Sequence, residues 1–540
     1  MYLNPPNAAF KKISLSVPNY IKTTFLATFV IGLLAHVYMF TNKFPNHDEI
    51  AFLAADNDFW RSGRWFLRFP SAISSVFSLP WLNGLLSLFY IAVAACLVVA
   101  ALKIYGSVSC VLVAGLMVSF PVVTATFTYM FTADAYFFAL MLSCLAVYLA
   151  ERHRYGFLPA VIPLTLSLGC YQAYFGVSAG LMIMILIFDC LSKQGKGLDI
   201  VLKGLRFLGT LVLSLISYFI IVRVFVSVRG EALFDYRGID QMGQIALKDV
   251  PGLIYETYMG VFTYFFLNGD SVLYYVNIHQ KSVILLFIVA FILGGLLLVL
   301  RCIRHKIHKE PVRLLILIIL IILLPISFNA VFIMAPGQRH ILMLYGMVLA
   351  LIFLIGLTEL LPPLDKKSFV PLAMNLSSWF IAITMVFCIY NYAVLANKSY
   401  LKMNIGYEQA YAQSISLVTR IQNLEDYSLE KEIVLVGVPY RERENIEQPL
   451  SIFAGIKMIG VLGEEIFGDI YTYGVYLHQY LGLRQKVILV RDEKIDDAEA
   501  ARQLLTMPKY PDAGSIRIIA DKIYVNFSYN SVNPASEMPY

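Results

Sequence analysis

The sequence predicts a polytopic α-helical membrane protein of about eleven transmembrane helices, followed by a C-terminal extracytoplasmic α/β domain. The first observation is composition, since 59% of the 540 residues are hydrophobic and only 14% are charged. An average soluble domain has about 25% charged residues. The second is a series of apolar segments close to the ~20 residues that a spanning helix needs. The third is a change near residue 396, where short strand-like segments replace the long apolar ones.

The eleven apolar segments define the predicted membrane domain, residues 1–395. A polar start with Lys11, Lys12 and Lys22 precedes the first segment, and no small-residue cleavage site follows it, which is typical of a retained signal anchor. Two segments, 157–172 and 174–190, are almost contiguous, so they form either a tight helical hairpin or one long broken helix. The predicted spans are residues 23–40, 82–104, 107–126, 131–150, 157–172, 174–190, 204–227, 281–300, 313–333, 340–361 and 369–395.

The charges in the loops predict the orientation of these spans. Cytoplasmic loops of membrane proteins are enriched in Lys and Arg. With a cytoplasmic N-terminus and eleven spans, the basic residues collect on the inner side, and only the first outer loop departs from the rule. The net charge of +6 therefore reflects topology and indicates no nucleic-acid partner. The inner basic residues are Lys103, Arg152, Arg154, Lys193, Lys196, Lys203, Arg206, Arg301, Arg304, Lys306, Lys309, Arg313, Lys366 and Lys367, and the outer acids include Asp48, Glu49, Asp134, Glu231, Asp235, Asp240 and Asp270.

The outer side carries two long loops, residues 41–81 and 228–280, and the soluble domain, residues 396–540. Residues 245–266 mix apolar, aromatic and charged side chains, which predicts an amphipathic helix at the membrane interface. In the soluble domain, KEIVLVGV, QKVILV and SIRIIADKIYVNF predict short strands. The stretch VLVGVPY lacks the G-x-G-x-x-G fingerprint, so no dinucleotide site is predicted.

An acid pair, Asp48 and Glu49 in NHDEIAF, lies in the first outer loop. A carboxylate at the outer membrane surface can stay ionised and accept a proton from a sugar hydroxyl, as a general base must. The alternative is a solvated pair of loop acids. An aromatic and arginine-rich stretch follows the pair, which a mere connector does not need. We therefore predict that the pair is catalytic.

Three arginines, Arg61, Arg64 and Arg68, recur at helical spacing among aromatic residues in the same loop. This pattern predicts a short helix lying in the membrane interface, with its rings at headgroup depth. The planar guanidinium of arginine suits a phosphate group bidentately, so Arg61 and Arg64 are candidate ligands of a lipid phosphate. Pairing with any anionic lipid is the alternative.

Two further acidic features belong to the outer side. Asp56-Asn57-Asp58 has the D-x-D form that holds a divalent metal in nucleotide-sugar enzymes, but an acidic N-cap of the following helix is the preferred interpretation. A divalent metal thus has no firm support, and no other cofactor is indicated. Asp134, in FTADAYFFA, begins the fourth span, where it either caps the helix or faces Asp48 as the second acid of the site.

Polar residues near the outer ends of later spans complete the candidate site. Arg339, in MAPGQRHILM, either binds the lipid phosphate or snorkels to the interface. Tyr171 and Gln172, in GCYQAYFG, either hydrogen-bond a sugar or form a turn between packed helices. Together with Trp65, they are the candidate contacts for the sugar or the acceptor.

These motifs resemble those of the membrane-embedded glucosyltransferases of the Gtr type that decorate bacterial O-antigen. In chain order the motifs are HDE, DNDFWRSGRWF, FTADAYFFA, YQAYFG and PGQRHILM. The resemblance covers most of residues 1–395, and its most specific piece is the acid pair with GRW. It implies the GT-C fold class, a bacterial inner-membrane location and a polyprenyl-phosphate sugar donor, usually glucose. That donor is made on the cytoplasmic face and flipped outward, so a donor synthase and a flippase are implied companions.

The resemblance also implies roles for individual residues. Such enzymes invert the anomeric centre with a first-loop Asp as base, which points to Asp48, with Glu49 as its partner and Asp134 as a supporting acid. Whether Asp48 or Glu49 takes the proton stays open. The acceptor, a periplasmic glycan such as an O-antigen repeat, is not specified further.

Two other functions compete with this one, a lipid-linked glycan transporter or flippase and an O-antigen polymerase. A transporter needs ionisable residues deep within its spans. The predicted spans of this chain are nearly free of central charge, and the acids gather at one outer face instead. This distribution favours a transferase that acts at the membrane surface.

Overall fold

A computed structural model describes residues 5–8, 15–53, 58–193, 195–233, 248–267, 281–330, 333, 340–360, 369–437, 453, 456, 470–490, 495 and 497–527 of the chain. The chain forms two compact units. The first comprises Met1–Asn42 and Ala54–Asn397, and the second comprises Lys43–Leu53 and Lys398–Tyr540. Each unit is described by itself below.

The described part of the first unit is helical. The short helix α2 (His47–Ala51) belongs to the second unit, although its residues stand early in the chain. Short 3₁₀ turns connect several of the helices, among them Trp60–Ser62 and Gln172–Tyr174. The helices are α1 (Asn19–Thr41), α3 (Arg68–Ser71), α4 (Pro80–Leu102), α5 (Ser107–Ser119), α6 (Pro121–Phe127), α7 (Met130–Arg152), α8 (Val161–Cys170), α9 (Phe175–Leu191), α10 (Gly197–Arg229), α11 (Val250–Phe266), α12 (Lys281–Arg304), α13 (Pro311–Phe328), α14 (Val348–Glu359) and α15 (Phe369–Gln422), the last of which continues into the second unit.

Eight of the described helices are long and apolar enough to cross a membrane, and the bent pair α5 and α6 makes nine if it is one span. Two shorter apolar helices, Val161–Cys170 and Tyr345–Glu359, occupy two further predicted segments. The protein is therefore a polytopic helical membrane protein, as predicted. The exact number of eleven spans stays a prediction.

The third predicted span, residues 107–126, consists of two helices. Helix α5 ends at Ser119, and α6 begins at Pro121 with its axis turned by 41°. Proline fixes φ and has no N–H to donate, so it breaks a helix that reaches it but suits the first position of a new one. Phe120 between them is accordingly extended, with ψ at 139°.

The almost contiguous segments 157–172 and 174–190 form a helical hairpin. Two hydrogen bonds give the direction of α8: Thr210 Oγ1 donates to the carbonyl of Phe157 at 3.0 Å, and Ser214 Oγ to that of Val161 at 3.4 Å. Because residue numbers rise together along both partners, α8 runs parallel to α10. Helix α9 packs against α10 after a short connection and so runs antiparallel to it. Helices α8 and α9 therefore run in opposite directions.

Helix α10 leaves a row of apolar side chains exposed along its length, which suits contact with lipid. Helix α11 lies within the segment predicted to be an interfacial helix, and it packs against α12 and α13 with Thr257, Tyr264 and Phe265 buried. Its helical structure is confirmed, whereas its place at the membrane interface stays a prediction.

The second unit contains a four-stranded sheet in the order β2-β1-β4-β3. The central strand β1 (Ile433–Val436) pairs parallel with β2 (Val487–Val490) and with β4 (Lys522–Asn526), and β3 (Ile516–Ile519) pairs antiparallel with β4. Helices α16 (Ile470–Gln479) and α17 (Ala498–Leu504) and the end of α15 pack on this sheet. Each of the three segments predicted to form strands contains strand, and the last contains two.

Helix α2 is part of the core of the second unit. Ile50 is fully buried in a cluster that includes Leu417 of α15, Tyr473 of α16 and Val525 of β4. In this division into compact units, the segment Lys43–Leu53 groups with the C-terminal residues. The division into a membrane domain, residues 1–395, and a soluble domain, residues 396–540, stays a prediction.

Candidate active site

The acid pair lies on α2, and the two carboxylates have different environments. Asn46 caps the helix by accepting a hydrogen bond from the Glu49 backbone N–H at 2.9 Å. The Asp48 side chain is 45% exposed, with one oxygen 3.2 Å from His47 Nε2. The Glu49 side chain is 1% exposed and forms an ion pair with Lys43 Nζ at 2.8 Å. Asp48 is therefore accessible to a substrate, whereas Glu49 is enclosed.

The enclosed Glu49 acts on a neighbouring tyrosine. Burial raises the pKa of the Tyr480 hydroxyl above its ordinary value, and the negative charge of Glu49 raises it further. The hydroxyl beside this carboxylate thus remains protonated well into alkaline conditions.

In the first unit, Arg64 lies against two stacked tyrosines. Its Nη1 donates a hydrogen bond to the Tyr136 hydroxyl at 2.8 Å. Its Cζ lies 5.7 Å from the ring centroid of Tyr136 and 5.3 Å from that of Tyr171. The two rings stack at 4.3 Å with a 14° angle between their planes. Aromatic faces attract a guanidinium, so this arrangement holds a partly buried positive charge in one position.

The turn at Gln172 fixes the first loop in the first unit. Gln172 Nε2 donates to the Ser62 carbonyl at 3.2 Å and to the Tyr218 hydroxyl at 2.9 Å. Tyr171 is 3% exposed and Gln172 8% exposed. Both residues therefore form the turn between packed helices that was one of their two interpretations, and their contact with a sugar stays a prediction.

The predicted interfacial helix through the three arginines is wrong. The backbone forms a 3₁₀ turn at Trp60–Ser62, takes a left-handed conformation at Gly63 with φ at +74°, and is helical again only at Arg68–Ser71. A left-handed residue cannot continue a right-handed helix. Trp65 is 9% exposed and stacks with Phe225 at 6.1 Å, so it is a packing residue here and does not lie at the surface.

The other charges of this stretch contact the end of α10. Arg61 Nε donates to the Ala232 carbonyl at 3.1 Å, and its Nη1 lies 3.5 Å from Glu231. Asp58 forms an ion pair with Arg229 at 2.8 Å. The N-cap position of the Trp60–Ser62 turn is occupied by Phe59, whose side chain makes no capping hydrogen bond. Asp58 is therefore not the N-cap that the sequence favoured.

Of the remaining members of the D-x-D tripeptide, Asp56 and Asn57 lie outside the described residues. Within the described ranges, no three His, Cys, Asp or Glu side chains are grouped so that they could hold a metal ion.

Asp134 is the fifth residue of α7 and is fully buried. Asn83 Nδ2 lies 3.4 Å from Asp134 Oδ1 and donates to the Met130 carbonyl at 3.1 Å. Asp134 thus joins α4 to the first turns of α7, near the end of the helix dipole that favours negative charge. The structure places it in the first unit and Asp48 in the second.

Arg339 lies outside the described residues, which resume at His340. His340 Nδ1 accepts a hydrogen bond from the Leu342 backbone N–H at 3.3 Å, and its ring lies 6.4 Å from that of Tyr129. The sequence reasoning missed Tyr136 and Tyr218, the partners of Arg64 and Gln172. Each is an aromatic residue within an apolar helix, so no local signal separates it from ordinary core residues.

Comparison with known proteins identifies the family. A family model described as glucosyl transferase GtrII matches residues 37–356, which is more than half of the chain. The matched range contains the acid pair, Arg64, Asp134 and the Gln172 turn. No curated protein and no solved structure matches the chain. The chain therefore belongs to the GtrII glucosyl transferase family and is a membrane glycosyltransferase that uses a sugar donor and a glycan acceptor.

Proposed function

We propose that this protein transfers glucose from a polyprenyl-phosphate donor to a periplasmic glycan such as O-antigen, with inversion at the anomeric carbon. Family membership supports the glucosyl transfer, and the apolar helices support a donor that arrives within the membrane. The proposed location of the protein is the bacterial inner membrane. The acid pair and the second unit are proposed to lie on the periplasmic side. A donor synthase and a flippase would then supply glucose on its lipid carrier.

In this reaction the acceptor hydroxyl oxygen attacks the anomeric carbon, and its proton passes to the Asp48 carboxylate. The bond between the anomeric carbon and the phosphate oxygen breaks, and the polyprenyl phosphate leaves with the electron pair. Because attack and departure occur on opposite faces, the anomeric centre is inverted. The leaving group is already an anion, so the protein needs only to neutralise it and to align the acceptor.

The observation that carries the assignment of the base is the contrast between Asp48 and Glu49. A general base must reach the proton that it abstracts. The Asp48 carboxylate is nearly half exposed, while that of Glu49 is enclosed and paired with Lys43. We therefore assign the proton transfer to Asp48.

We assign the donor phosphate to Arg64, whose guanidinium is partly buried against Tyr136 and Tyr171. A charge with reduced contact to water attracts an anion more strongly than an exposed one. Arg61, engaged with Glu231, and Arg339 are secondary candidates. Tyr171, Gln172 and Trp65 are proposed to shape the sugar or acceptor site, and Asp134 to support it by fixing α4 against α7.

The assignment of Asp48 predicts the behaviour of D48N. The amide cannot accept the proton, and loss of a general base lowers a rate by about 10²- to 10⁴-fold. We expect kcat to fall by this factor, with donor affinity unchanged, in an assay of the purified full chain with polyprenyl-phosphate glucose and glycan acceptor. The matched control is D521N, which changes an 86% exposed aspartate of the same unit. Near-normal transfer by D48N would refute the assignment.

The assignment of Arg64 predicts weaker donor binding by R64Q. Hydrogen bonds to charged groups contribute about 1.5–3 kcal/mol, which corresponds to a loss of about 10- to 100-fold in donor affinity. R68Q makes the same charge change at an exposed arginine of the same loop and should bind the donor normally. Donor affinity unchanged in R64Q, R339Q and the double variant would exclude both arginines as phosphate ligands.

A further inference from the structure

The segment that carries Asp48 is too short to hold its own conformation. Helix α2 has five residues, and isolated helices shorter than about 12 residues are only marginally stable in water. Its conformation must therefore come from the surroundings that bury it.

Burial within this segment follows a pattern around the exposed acid. Phe44, Asn46, Glu49 and Ile50 are each at most 3% exposed, whereas His47 and Asp48 between them are partly exposed. The two accessible side chains thus stand between buried neighbours, of which Ile50 lies in the apolar core of the second unit.

Two contacts hold the enclosed face. Ile50 packs in the apolar core formed by α15, α16 and the sheet. Glu49 forms the ion pair with Lys43 at 2.8 Å, and its negative charge raises the pKa of the Tyr480 hydroxyl. The Lys43 side chain is 30% exposed, whereas that of Glu49 is 1% exposed. Loss of Lys43 therefore removes this partner from a charge that is poorly solvated.

We propose that Glu49 is a positioning residue whose partly buried ion pair with Lys43 fixes α2 in the second unit and so holds Asp48 where it takes the proton. The second unit is then part of the catalytic machinery and not only a docking domain for the glycan. This inference rests on the proposed function. It separates the two acids by role: Asp48 acts on the substrate, and Glu49 acts through Asp48.

The test is a double-mutant cycle on the full chain, with K43M, E49M, K43M/E49M and D48N assayed together. K43M leaves the Glu49 carboxylate enclosed without its Lys43 partner, so α2 should shift. A displacement of about 1 Å can cost about 10²-fold in rate. We expect kcat of K43M to fall by about 10- to 100-fold with KM for the donor unchanged.

The double variant carries the decisive result. Replacing a buried ion pair by apolar residues of similar volume is often neutral or stabilising. We expect K43M/E49M to recover kcat to within about threefold of the unchanged protein. A double variant that folds but is inactive would show that the Glu49 carboxylate itself takes part in the chemistry, and an unchanged K43M would show that the pair positions nothing. Either result overturns the inference.

One control and one alternative variant accompany the cycle. K486M breaks the Lys486–Glu432 pair at 2.6 Å, whose side chains are 70% and 28% exposed, and should leave kcat unchanged because exposed pairs contribute little. If K43M does not fold, E49Q replaces it. The glutamine keeps an acceptor for Lys43 without the charge and should lower kcat several-fold at constant KM. An E49Q with unchanged kcat would overturn the inference.

The D48N result distinguishes a failure of the proposed function from a failure of the positioning role of Glu49. If D48N is inactive and the Lys43 and Glu49 variants fail to behave as described, only the positioning role is lost. If D48N is active, the base assignment of the proposed function fails, and the inference fails with it.

Discussion

Gly63 has a left-handed backbone where the first loop packs against the Gln172 turn. Because glycine has no side chain, Gln172 Nε2 and the Tyr218 hydroxyl can lie close to its backbone. A Cβ built at this position would lie 2.8 Å from Gln172 Nε2 and closer still to the Tyr218 hydroxyl. Those two atoms form the hydrogen bond that fixes the turn. The backbone at Gly63 also positions the next residue, Arg64, against the rings of Tyr136 and Tyr171.

We predict that G63A destabilises the protein by about 2–3 kcal/mol. The left-handed conformation costs an alanine about 1–2 kcal/mol, and displacing Gln172 from Tyr218 removes a hydrogen bond that contributes about 0.5–1.5 kcal/mol. Unfolding of the purified chain in detergent, measured by heat or denaturant, should show the loss.

Gly209 offers the comparison for this prediction. It lies in α10, and a Cβ there would meet nothing within 4 Å. Because alanine is preferred to glycine in a helix by about 1 kcal/mol, G209A should leave stability unchanged or raise it. A G63A variant as stable as G209A would mean that the loop relaxes around the added methyl group.

The acid pair and the arginines of the candidate site stand out in the sequence, but the different environments of Asp48 and Glu49 do not. Asp48 and Glu49 are adjacent acids in one loop, and no local property distinguishes them. A helix turns successive side chains by about 100°, so one points inward and the other outward. Which one is enclosed depends on contacts with α15 and α16, far along the chain. Arg61 and Arg64 differ for the same reason.

At the scale of elements, apolar length and turn chemistry predict most of the fold. Every predicted span contains an apolar helix, and every segment predicted to form strand contains one. The break between α5 and α6 follows from Pro121, which the sequence displays but the apolar count ignores. The helix predicted through the three arginines is wrong because Gly63 ends the Trp60–Ser62 turn with a left-handed backbone, which the helical spacing of the arginines does not reveal.

Helix ends are also satisfied by distant partners that no local pattern reports. The N-terminus of α5 is capped by Glu359, whose Oε1 accepts from the Tyr105 and Gly106 backbone N–H groups at 2.9 and 2.7 Å. Its other oxygen accepts from Ser109 Oγ at 2.8 Å. A carboxylate is stabilised at the positive end of a helix. Glu359 thus ties the end of α14 to the start of α5.

In the first unit, ion pairs and hydrogen bonds join loops that are predicted to lie on the same side of the membrane. Lys203 pairs with Asp189 at 2.6 Å and also with Glu151, and Lys103 lies 3.3 Å from Glu151. These residues belong to the ends of α4, α7 and α9 and the start of α10, all predicted to be cytoplasmic. Loops assigned to the same side by charge alone therefore meet in the structure.

The loops predicted to be outer meet one another in the same way. Arg64 of the first loop contacts Tyr136 near the start of α7, and Arg61 contacts Ala232 after the end of α10. The short helix α14 also connects the two predicted sides. Helix α14 runs antiparallel to α5, with Tyr345 bonded to the Met117 carbonyl at 2.7 Å and Glu359 at the opposite end of α5. Both therefore extend through the same depth of the unit.

This division predicts the side on which the second unit lies, because each crossing reverses the side. If α8, α14 and the bent pair α5 and α6 all cross, the eleven crossings place Tyr400 opposite the N-terminal segment, outside the cytoplasm. If the bent pair turned back, the count would be ten and Tyr400 would lie inside. Alkaline phosphatase, which is active only after export, should be active when fused after Tyr400 and inactive when fused after Lys306 in the predicted inner loop. The opposite result would be an inactive phosphatase after Tyr400 together with fluorescence from a reporter that works only in the cytoplasm. It would contradict an odd number of crossings. The proposed active site would then lie on the cytoplasmic side, where a flipped donor is not available.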